Sequence, residues 1–285
     1  MSLTLRIIPR LDIKGPNLVK GVHLEGLRVL GKPESFAKYY YEQGADELFY
    51  QDVVASLYGR NNLHNIISRT AKEIFIPLTV GGGIRNIEDI SNILKAGADK
   101  VSINTSAIGH PEFISLASHV FGSSTIVVSI EAIKQSDGSY IAFTDNGRNS
   151  SGKEVISWAK EIERLGAGEI LLTFVDQEGS GKGFDLMLAK NICSAVKIPV
   201  VIHGGAGNMQ HVLDLTKDLS LSGVAIASLF HYHCILHNRQ IDGYEKEGNI
   251  DFLKSNRVLS SIESKSIKEL KLFLLDNNVL CRIDE

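Results

Sequence analysis

Cysteine is scarce in this chain of 285 residues, which contains only Cys193, Cys234 and Cys281. The three form no Cys-x-x-Cys pair and are odd in number, so they indicate a reducing compartment and argue against a disulfide framework. Long apolar runs are also missing. No stretch reaches membrane-spanning length, and the first residues hold no apolar segment ahead of a cleavage site. We therefore expect a cytoplasmic protein with no membrane partner.

The chain also lacks an excess of charge of either sign. Lys and Arg total 30, Asp and Glu total 33, and the formal net charge is −3. This balance argues against a nucleic-acid partner bound by bulk charge. It does not argue against a phosphorylated small molecule, because such a ligand needs only a few well-placed donors. Hydrophobic residues make up 44% of the chain, which is enough for a sizeable core.

Short runs rich in β-branched residues alternate with stretches of helical periodicity. The runs predict strands over residues 6–13, 47–53, 76–80, 100–103, 125–131, 169–174, 200–203 and 223–227. Helical patterns separate them, for example over 33–43, 86–96, 153–165 and 185–196. Eight βα units of this kind predict parallel strands, and the length suits one closed (β/α)8 (TIM) barrel.

An internal repeat suggests that the barrel consists of two halves. Gly44-Ala45-Asp46-Glu47 recurs as Gly-Ala-Gly-Glu at 166–169, and the glycine run at 81–83 recurs at 204–207. Asp12 and Glu131 end the first and fifth predicted strands. These features recur at similar offsets, of 119 to 123 residues. They predict two half-barrels of four βα units each. A repeat of the fold without functional meaning is the alternative.

The pattern loosens after Phe230, and a last amphipathic helix is predicted over 267–277. We therefore interpret residues 1–285 as a single barrel with an inserted segment at about 234–264, before the closing helix. That segment carries a mixed, charged sequence that indicates no function.

Glycine-rich loops follow the third and seventh predicted strands. In a barrel of this class the active site lies where the strands end, and glycine lets backbone N–H groups approach an anion closely. The two loops, with the ends of the fourth and eighth strands, predict opposed phosphate cradles for a ligand with a phosphate at each end. The candidate residues are Gly82, Gly83, Asn104, Thr105, Gly179, Gly204, Gly205, Ala227 and Ser228. The alternative is a pair of tight turns without a ligand.

Two carboxylates, Asp12 and Glu131, should project between the cradles. A pair of carboxylates divides acid and base work when their surroundings separate their pKa values. The alternative is that each forms a local ion pair, with Lys14 or Lys20 for Asp12 and with Lys134 for Glu131.

Four charged residues begin strands at the other end of the barrel. They are Arg6, Glu47, Lys100 and Glu169, and their charges can balance as a ring across the barrel floor. One interpretation is that the ring is a network of ion pairs that stabilises the barrel, which is the usual role of charged residues at that face. The functional interpretation is a controlled entrance to the barrel interior.

These residues together resemble the cyclase subunit (HisF) family of imidazole glycerol phosphate synthase. The likeness covers about residues 6–231 and the final helix. Its motifs are LDIK at 11–14, VKG at 19–21, DEL at 46–48, TVGGGI at 79–84, GADKVSINT at 97–105, GAGEILLT at 166–173 and GGAG at 204–207.

The resemblance implies a heterodimer with a glutaminase (HisH-like) subunit that docks on the N-terminal face, where Asp99 matches a contact residue. Ammonia would pass the ring of Arg6, Glu47, Lys100 and Glu169 and react at the mouth with a bisphosphorylated aminoimidazole carboxamide ribonucleotide. The products would be imidazole glycerol phosphate and an aminoimidazole carboxamide ribotide. The resemblance also implies two catalytic aspartates and an assisting loop lysine, and no metal or organic cofactor. Asp12 matches the first aspartate and Lys20 matches the lysine.

Four inward positions depart from the family pattern. Glu131 stands in place of the second aspartate, and Arg10 stands where the family usually has a small residue such as cysteine. Gln51 and His203 replace smaller or apolar residues. We expect Arg10 to pair with Glu131 or with Asp12.

Three functions follow from these features. The first is a cyclase subunit in histidine biosynthesis. The second is a divergent paralogue that serves as an ammonia conduit in the amidination of surface-glycan sugars, which the changed pocket favours. The third is the sister isomerase of the histidine pathway. The charged ring and the Ala98-Asp99-Lys100 segment argue against it.

Overall fold

The computed structural model describes residues 4–55, 63–217, 219, 221–238 and 262–283. The strands are β1 Arg6–Lys14, β2 Asn17–Val22, β3 Glu25–Gly31, β4 Leu48–Asp52, β5 Leu78–Gly81, β6 Lys100–Ile103, β7 Ile126–Lys134, β8 Tyr140–Thr144, β9 Asn149–Glu154, β10 Glu169–Phe174, β11 Val200–His203 and β12 Gly223–Ile226. Eight parallel strands close into a barrel in the order β1, β4, β5, β6, β7, β10, β11 and β12, with β12 paired to β1. The predicted (β/α)8 barrel is therefore confirmed.

Two antiparallel extensions rise from the barrel mouth and were not predicted from the sequence. Strand β2 pairs with the end of β1 and with β3, and β8 pairs with the end of β7 and with β9. Since β1 and β7 open the two half-barrels, the repeat includes these hairpins as well. These strands were not predicted because polar and glycine-rich segments such as residues 145–152 lack the runs of β-branched residues that indicate a strand.

Helices cover the outside of the barrel. They are Pro33–Glu42, His64–Thr70, Ile87–Ala96, Thr105–Gly109, Glu112–Phe121, Val155–Arg164, Leu186–Ala195, Met209–Thr216, Ser228–His237 and Ile267–Asp276. Several begin at residues that cap helices well. Ser266 forms a capping box with Glu269, which explains why the last helix begins there after an irregular segment.

The core has an outer and an inner layer. Residues of alternating parity on the strands pack outward against the helices in one large apolar cluster. The inner layer has an apolar tier halfway up the barrel, formed by Ile8, Phe49, Val127, Leu171, Val201 and Ala225. Arg6, Glu47, Lys100 and Glu169 lie below this tier, and Arg10, Asp12 and Glu131 lie above it, so the apolar tier separates the two candidate sites.

The proposed insertion at 234–264 falls largely outside the described residues. Its first residues continue the helix Ser228–His237, and residues 239–261 belong to the undescribed part. Beyond them, the Glu263 backbone N–H donates to the Gly207 carbonyl at 2.7 Å. Within the described ranges no helix is both long and apolar enough to cross a membrane.

Candidate active site

The two glycine loops occupy equivalent places in the two halves of the barrel. Gly82 follows β5 and Gly204 follows β11, with φ values of +105° and +92°. A Cβ on Gly82 would overlap the carbonyl oxygen of Asp52, and a Cβ on Gly204 would overlap that of Phe174. Asp52 and Phe174 are the last residues of β4 and β10, the barrel strands that come before β5 and β11. Only glycine fits this approach, and Gly82 rather than Gly81 is the true counterpart of Gly204, which corrects the alignment made from the sequence.

The helices beside the loops repeat the same geometry. Asn86 and Asn208 each cap a helix and accept a hydrogen bond from the backbone N–H three residues on, at 2.9 Å. Asn104 and Ala227 precede the helices after β6 and β12 at their N-cap positions, with similar backbone angles and no side-chain cap. Their first backbone N–H groups therefore have no side-chain acceptor at the cap, as an anion site requires.

A cavity of about 500 Å³ lies at the mouth on the side of the first cradle. The predicted residues on its lining are Gly82, Gly83, Asn104, Thr105, Gln51 and Glu131. The structure thus brings one complete cradle and one candidate carboxylate together. Asp12 and the second cradle lie outside this lining, across the mouth.

Glu131 is buried at the end of β7, where its side chain is 6% exposed. Its Oε2 accepts a hydrogen bond from the backbone N–H of Gly147 at 2.8 Å. Burial raises the pKa of the Glu131 carboxyl to about 7, although the Gly147 hydrogen bond and the nearby Arg10 charge oppose the shift. Near neutral pH this carboxyl is therefore present in both protonation states. Gly147 lies between β8 and β9, 16 residues beyond Glu131, so no local sequence pattern predicts this contact.

Asp12 forms a buried ion pair with Arg10. Arg10 Nε lies 2.9 Å from Asp12 Oδ1, and the side chains are 3% and 2% exposed. Arg10 Nη1 also donates to Thr173 Oγ1 at 3.2 Å, and the guanidinium lies 5.8 Å from the Phe49 ring centroid. Of the two partners expected for Arg10, the structure places Asp12 in the ion pair. Thr173 was missed because it reads as an ordinary strand residue.

Lys20 does not pair with Asp12, as one alternative had it, but with Glu178. The Lys20 ammonium contacts Glu178 Oε1 and donates to the Gly21 carbonyl at 2.8 Å. Glu178 Oε2 accepts from the Leu24 backbone N–H at 3.1 Å. A Cβ on Gly179 would meet the Gly21 carbonyl. Gly179 therefore lets the β2–β3 hairpin pack closely against the loop after β10.

The charged ring forms as expected below the apolar tier. Glu47 Oε2 accepts from Arg6 at 2.8 Å and from Lys100 at 3.0 Å. Glu169 contacts Arg6 through one oxygen and Lys100 through the other. Thr79 adds a hydrogen bond to Glu47 at 2.5 Å. The four alternating charges close a ring across the barrel floor, and both carboxylates are buried.

Asp99 lies on the outer side of this same end of the barrel. Its Oδ2 accepts from the Leu78 backbone N–H at 2.8 Å, which fixes the carboxylate at the start of β5. It borders an open groove of about 390 Å³, whose lining includes Phe75 with 82% of its side chain exposed. Exposed aromatic side chains are enriched at protein interfaces, so this groove is a candidate docking surface.

Within the described ranges, no group of three or more His, Cys, Asp or Glu residues is arranged to hold a metal ion.

The chain is similar to proteins with known names. Residues 6–235 match the family model described as histidine biosynthesis protein. The imidazole glycerol phosphate synthase subunit HisF of Legionella pneumophila is 57% identical over 206 residues, which cover 72% of this chain and 97% of that protein. The subunit of the same name from Lactococcus lactis subsp. cremoris is 43% identical over 268 residues, 94% of this chain and 98% of that protein.

Proposed function

Because the chain belongs to the histidine biosynthesis protein family, we propose that it is the HisF-type cyclase subunit of imidazole glycerol phosphate synthase. It is a lyase that uses ammonia to convert a bisphosphorylated aminoimidazole carboxamide ribonucleotide to imidazole glycerol phosphate and an aminoimidazole carboxamide ribotide. The observation that carries the proposal is the likeness to two HisF subunits along nearly their whole length. The repeated cradle geometry supports it, since a ligand with two phosphates needs two anion sites.

The ligand lies across the mouth with one phosphate in each cradle. Backbone N–H groups at Gly82, Gly83 and the turn at Asn104 bind one phosphate, and the loop at Gly204 and the turn at Ala227 bind the other. This arrangement holds the reacting centre between Asp12 and Glu131. Fixing the substrate at both ends lowers the entropic cost of the reaction.

Glu131 carries out the proton transfers, and Asp12 stabilises charge. A carboxyl with a pKa of about 7 both accepts and donates protons near neutral pH, and this assigns Glu131 the role of general acid and base. Asp12 stays hydrogen-bonded to Arg10 and stabilises positive charge as ammonia adds. Lys20 assists only when its contact with Glu178 opens, because that contact occupies its ammonium.

Ammonia comes from a glutaminase partner on the N-terminal face. The relatives are named as subunits, which implies a second subunit for this chain as well. The groove at Asp99 and Phe75 supplies a docking surface beside the ring, so released ammonia enters the barrel floor directly. We place the complex in the cytoplasm, in keeping with the three free cysteines.

One contact favours a second function. Arg10 neutralises Asp12 and reaches across the barrel to Thr173, an arrangement that a simple acid–base pair does not need. A paralogue that only conducts ammonia for the amidination of surface-glycan sugars would keep the ring and change the pocket in this way.

Turnover by the purified chain separates the two functions. The protein is mixed with the bisphosphorylated ribonucleotide and excess ammonium at about pH 8.5, where more ammonia is free. We expect the ligand to be consumed, and Asp12→Asn to abolish its consumption. Tight binding without turnover would rule out the cyclase and leave the conduit. Absence of binding would also contradict the two-cradle arrangement.

A further inference from the structure

His203 lies at the inner rim of the barrel mouth and plays no part in the mechanism above. It is the last residue of β11, and its neighbour in register on β10 is Thr173. Thr173 is in turn the register neighbour of Glu131 on β7. Because side chains of one parity point into the barrel, Glu131, Thr173 and His203 lie side by side on three adjacent strands.

The His203 ring has a defined tautomer. Its Nδ1 lies 2.9 Å from the carbonyl oxygen of Ala225 on β12. A carbonyl oxygen only accepts hydrogen bonds, so Nδ1 carries the proton and Nε2 of the neutral ring is an acceptor. Nε2 is fully buried and has no hydrogen-bond partner among the described residues. An unsatisfied acceptor at this depth is costly unless a donor occupies the space beside it.

The charges around His203 determine which donor fits. The charged and titratable groups that act on its pKa are Arg10, Lys20 and His231, and the two cations are themselves paired with Asp12 and Glu178. Burial, reinforced by Arg10, keeps the pKa of His203 well below its ordinary value, and burial lowers that of His231 to about 3. Both rings are therefore neutral, and the nearby ion pairs leave no carboxylate free beside Nε2 in the described residues. A cationic donor would have to be buried without a counter-charge there, whereas a small neutral donor would not.

We propose that His203 Nε2 is an ammonia-binding site inside the barrel, one that accepts a hydrogen bond from NH3 and holds it beside Thr173, which lies between His203 and Glu131 in register. The site rests on the proposed function, which supplies ammonia as a reactant. Ammonia fits because it carries three N–H donors, no charge and the size of one water molecule. Held at this rim, it lies on the route from the ring to the ligand, and the cost of burying a charge disfavours ammonium there.

Binding is tested without turnover, by ¹⁵N NMR of the full chain labelled at histidine. The chain has nine histidines, and the His203 signals are assigned by their loss in His203→Asn. Ammonium chloride is added at pH 6.5 and at pH 9, with potassium chloride as the ionic control. We expect the Nε2 resonance to move upfield and saturate at pH 9, and to stay unchanged at pH 6.5. No shift at pH 9, or equal shifts at both pH values, would overturn the site.

Two matched substitutions test the role of the site in turnover. In His203→Asn the side-chain amide replaces Nδ1 and keeps a donor for Ala225, but the acceptor at the Nε2 position is lost. In His203→Gln a carbonyl oxygen reaches that position. We expect Asn to raise the KM for ammonium several-fold at pH 8.5 with kcat little changed, and Gln to stay near the wild-type value. Equal KM values in all three proteins would contradict the proposal. If no protein turns over the ligand, the cyclase function fails, and the NMR titration still decides the site.

Discussion

Arg10 Nε lies 2.9 Å from Asp12 Oδ1, two residues along the same strand, and both side chains are almost completely buried inside the barrel. A buried charge is stable only while its partner remains. The ion pair therefore contributes to the stability of the fold, apart from any role of Asp12 in catalysis.

Removal of Arg10 alone should strongly destabilise the protein. In Arg10→Met the Asp12 carboxylate loses its partner while most of the side-chain volume is kept, and we expect a loss of about 3–5 kcal/mol in the free energy of unfolding by urea. The double substitution Arg10→Met with Asp12→Asn should recover most of this loss, because no charge then remains buried. A single variant within about 0.5 kcal/mol of the wild type would show that Asp12 finds another partner.

The raised pKa of Glu131 predicts how stability varies with pH. The unfolded carboxyl titrates near 4.5 and the folded one near 7, so between these values the folded state binds more protons than the unfolded state. The contribution of this group is fully present below pH 4.5 and is lost as the pH rises through 7. We expect a total loss on the order of 3 kcal/mol.

The control for this prediction is Glu131→Gln, which does not titrate. Urea unfolding of both proteins between pH 4 and pH 8 should give a difference in free energy that changes across this range in favour of the variant. Parallel curves would mean that the folded and unfolded carboxyls titrate together.

The cradle glycines should tolerate no side chain. Gly82→Ala and Gly204→Ala place a Cβ against a strand carbonyl at positive φ, so the backbone has to shift. We expect a cost of about 2–3 kcal/mol in unfolding free energy and weaker binding of the bisphosphorylated ligand in both variants. Gly138→Ala is the control, since its φ is +86° and nothing lies within 4 Å of its Cβ. It should cost about 1–2 kcal/mol and leave ligand binding intact; equal losses of binding at all three positions would argue against the cradles.

The contact of Lys20 with Glu178 should hold the β2–β3 hairpin against the loop after β10. Glu178→Gln removes the charge that binds Lys20, so we expect faster hydrogen exchange at the Leu24 amide, which donates to Glu178. Glu73→Gln is the control, because Glu73 pairs with Lys38 on the surface and should change stability by less than about 1 kcal/mol. Unchanged exchange at Leu24 would mean that backbone contacts, such as His23 N–H to Glu178 O, hold the hairpin alone.

The sequence by itself determined the barrel, because strand and helix periods are local properties of the chain. The glycine runs at 81–83 and 204–207 also indicated the two halves, since turns depend on residues close together in the sequence. The ring of Arg6, Glu47, Lys100 and Glu169 followed from strand starts, because the first residues of parallel strands meet at one end of a barrel.

Only the tertiary structure decided how the inward side chains are paired. Arg10 had two carboxylates within reach, and its choice of Asp12 depends on Thr173, which is 163 residues away. The pKa of Glu131 depends on burial under the β8–β9 hairpin and on Gly147, and Lys20 is held by Glu178, 158 residues on. The tautomer of His203 depends on one carbonyl of the next strand. Such contacts join segments distant along the chain, and closure of the barrel brings them together at angles that no local pattern specifies.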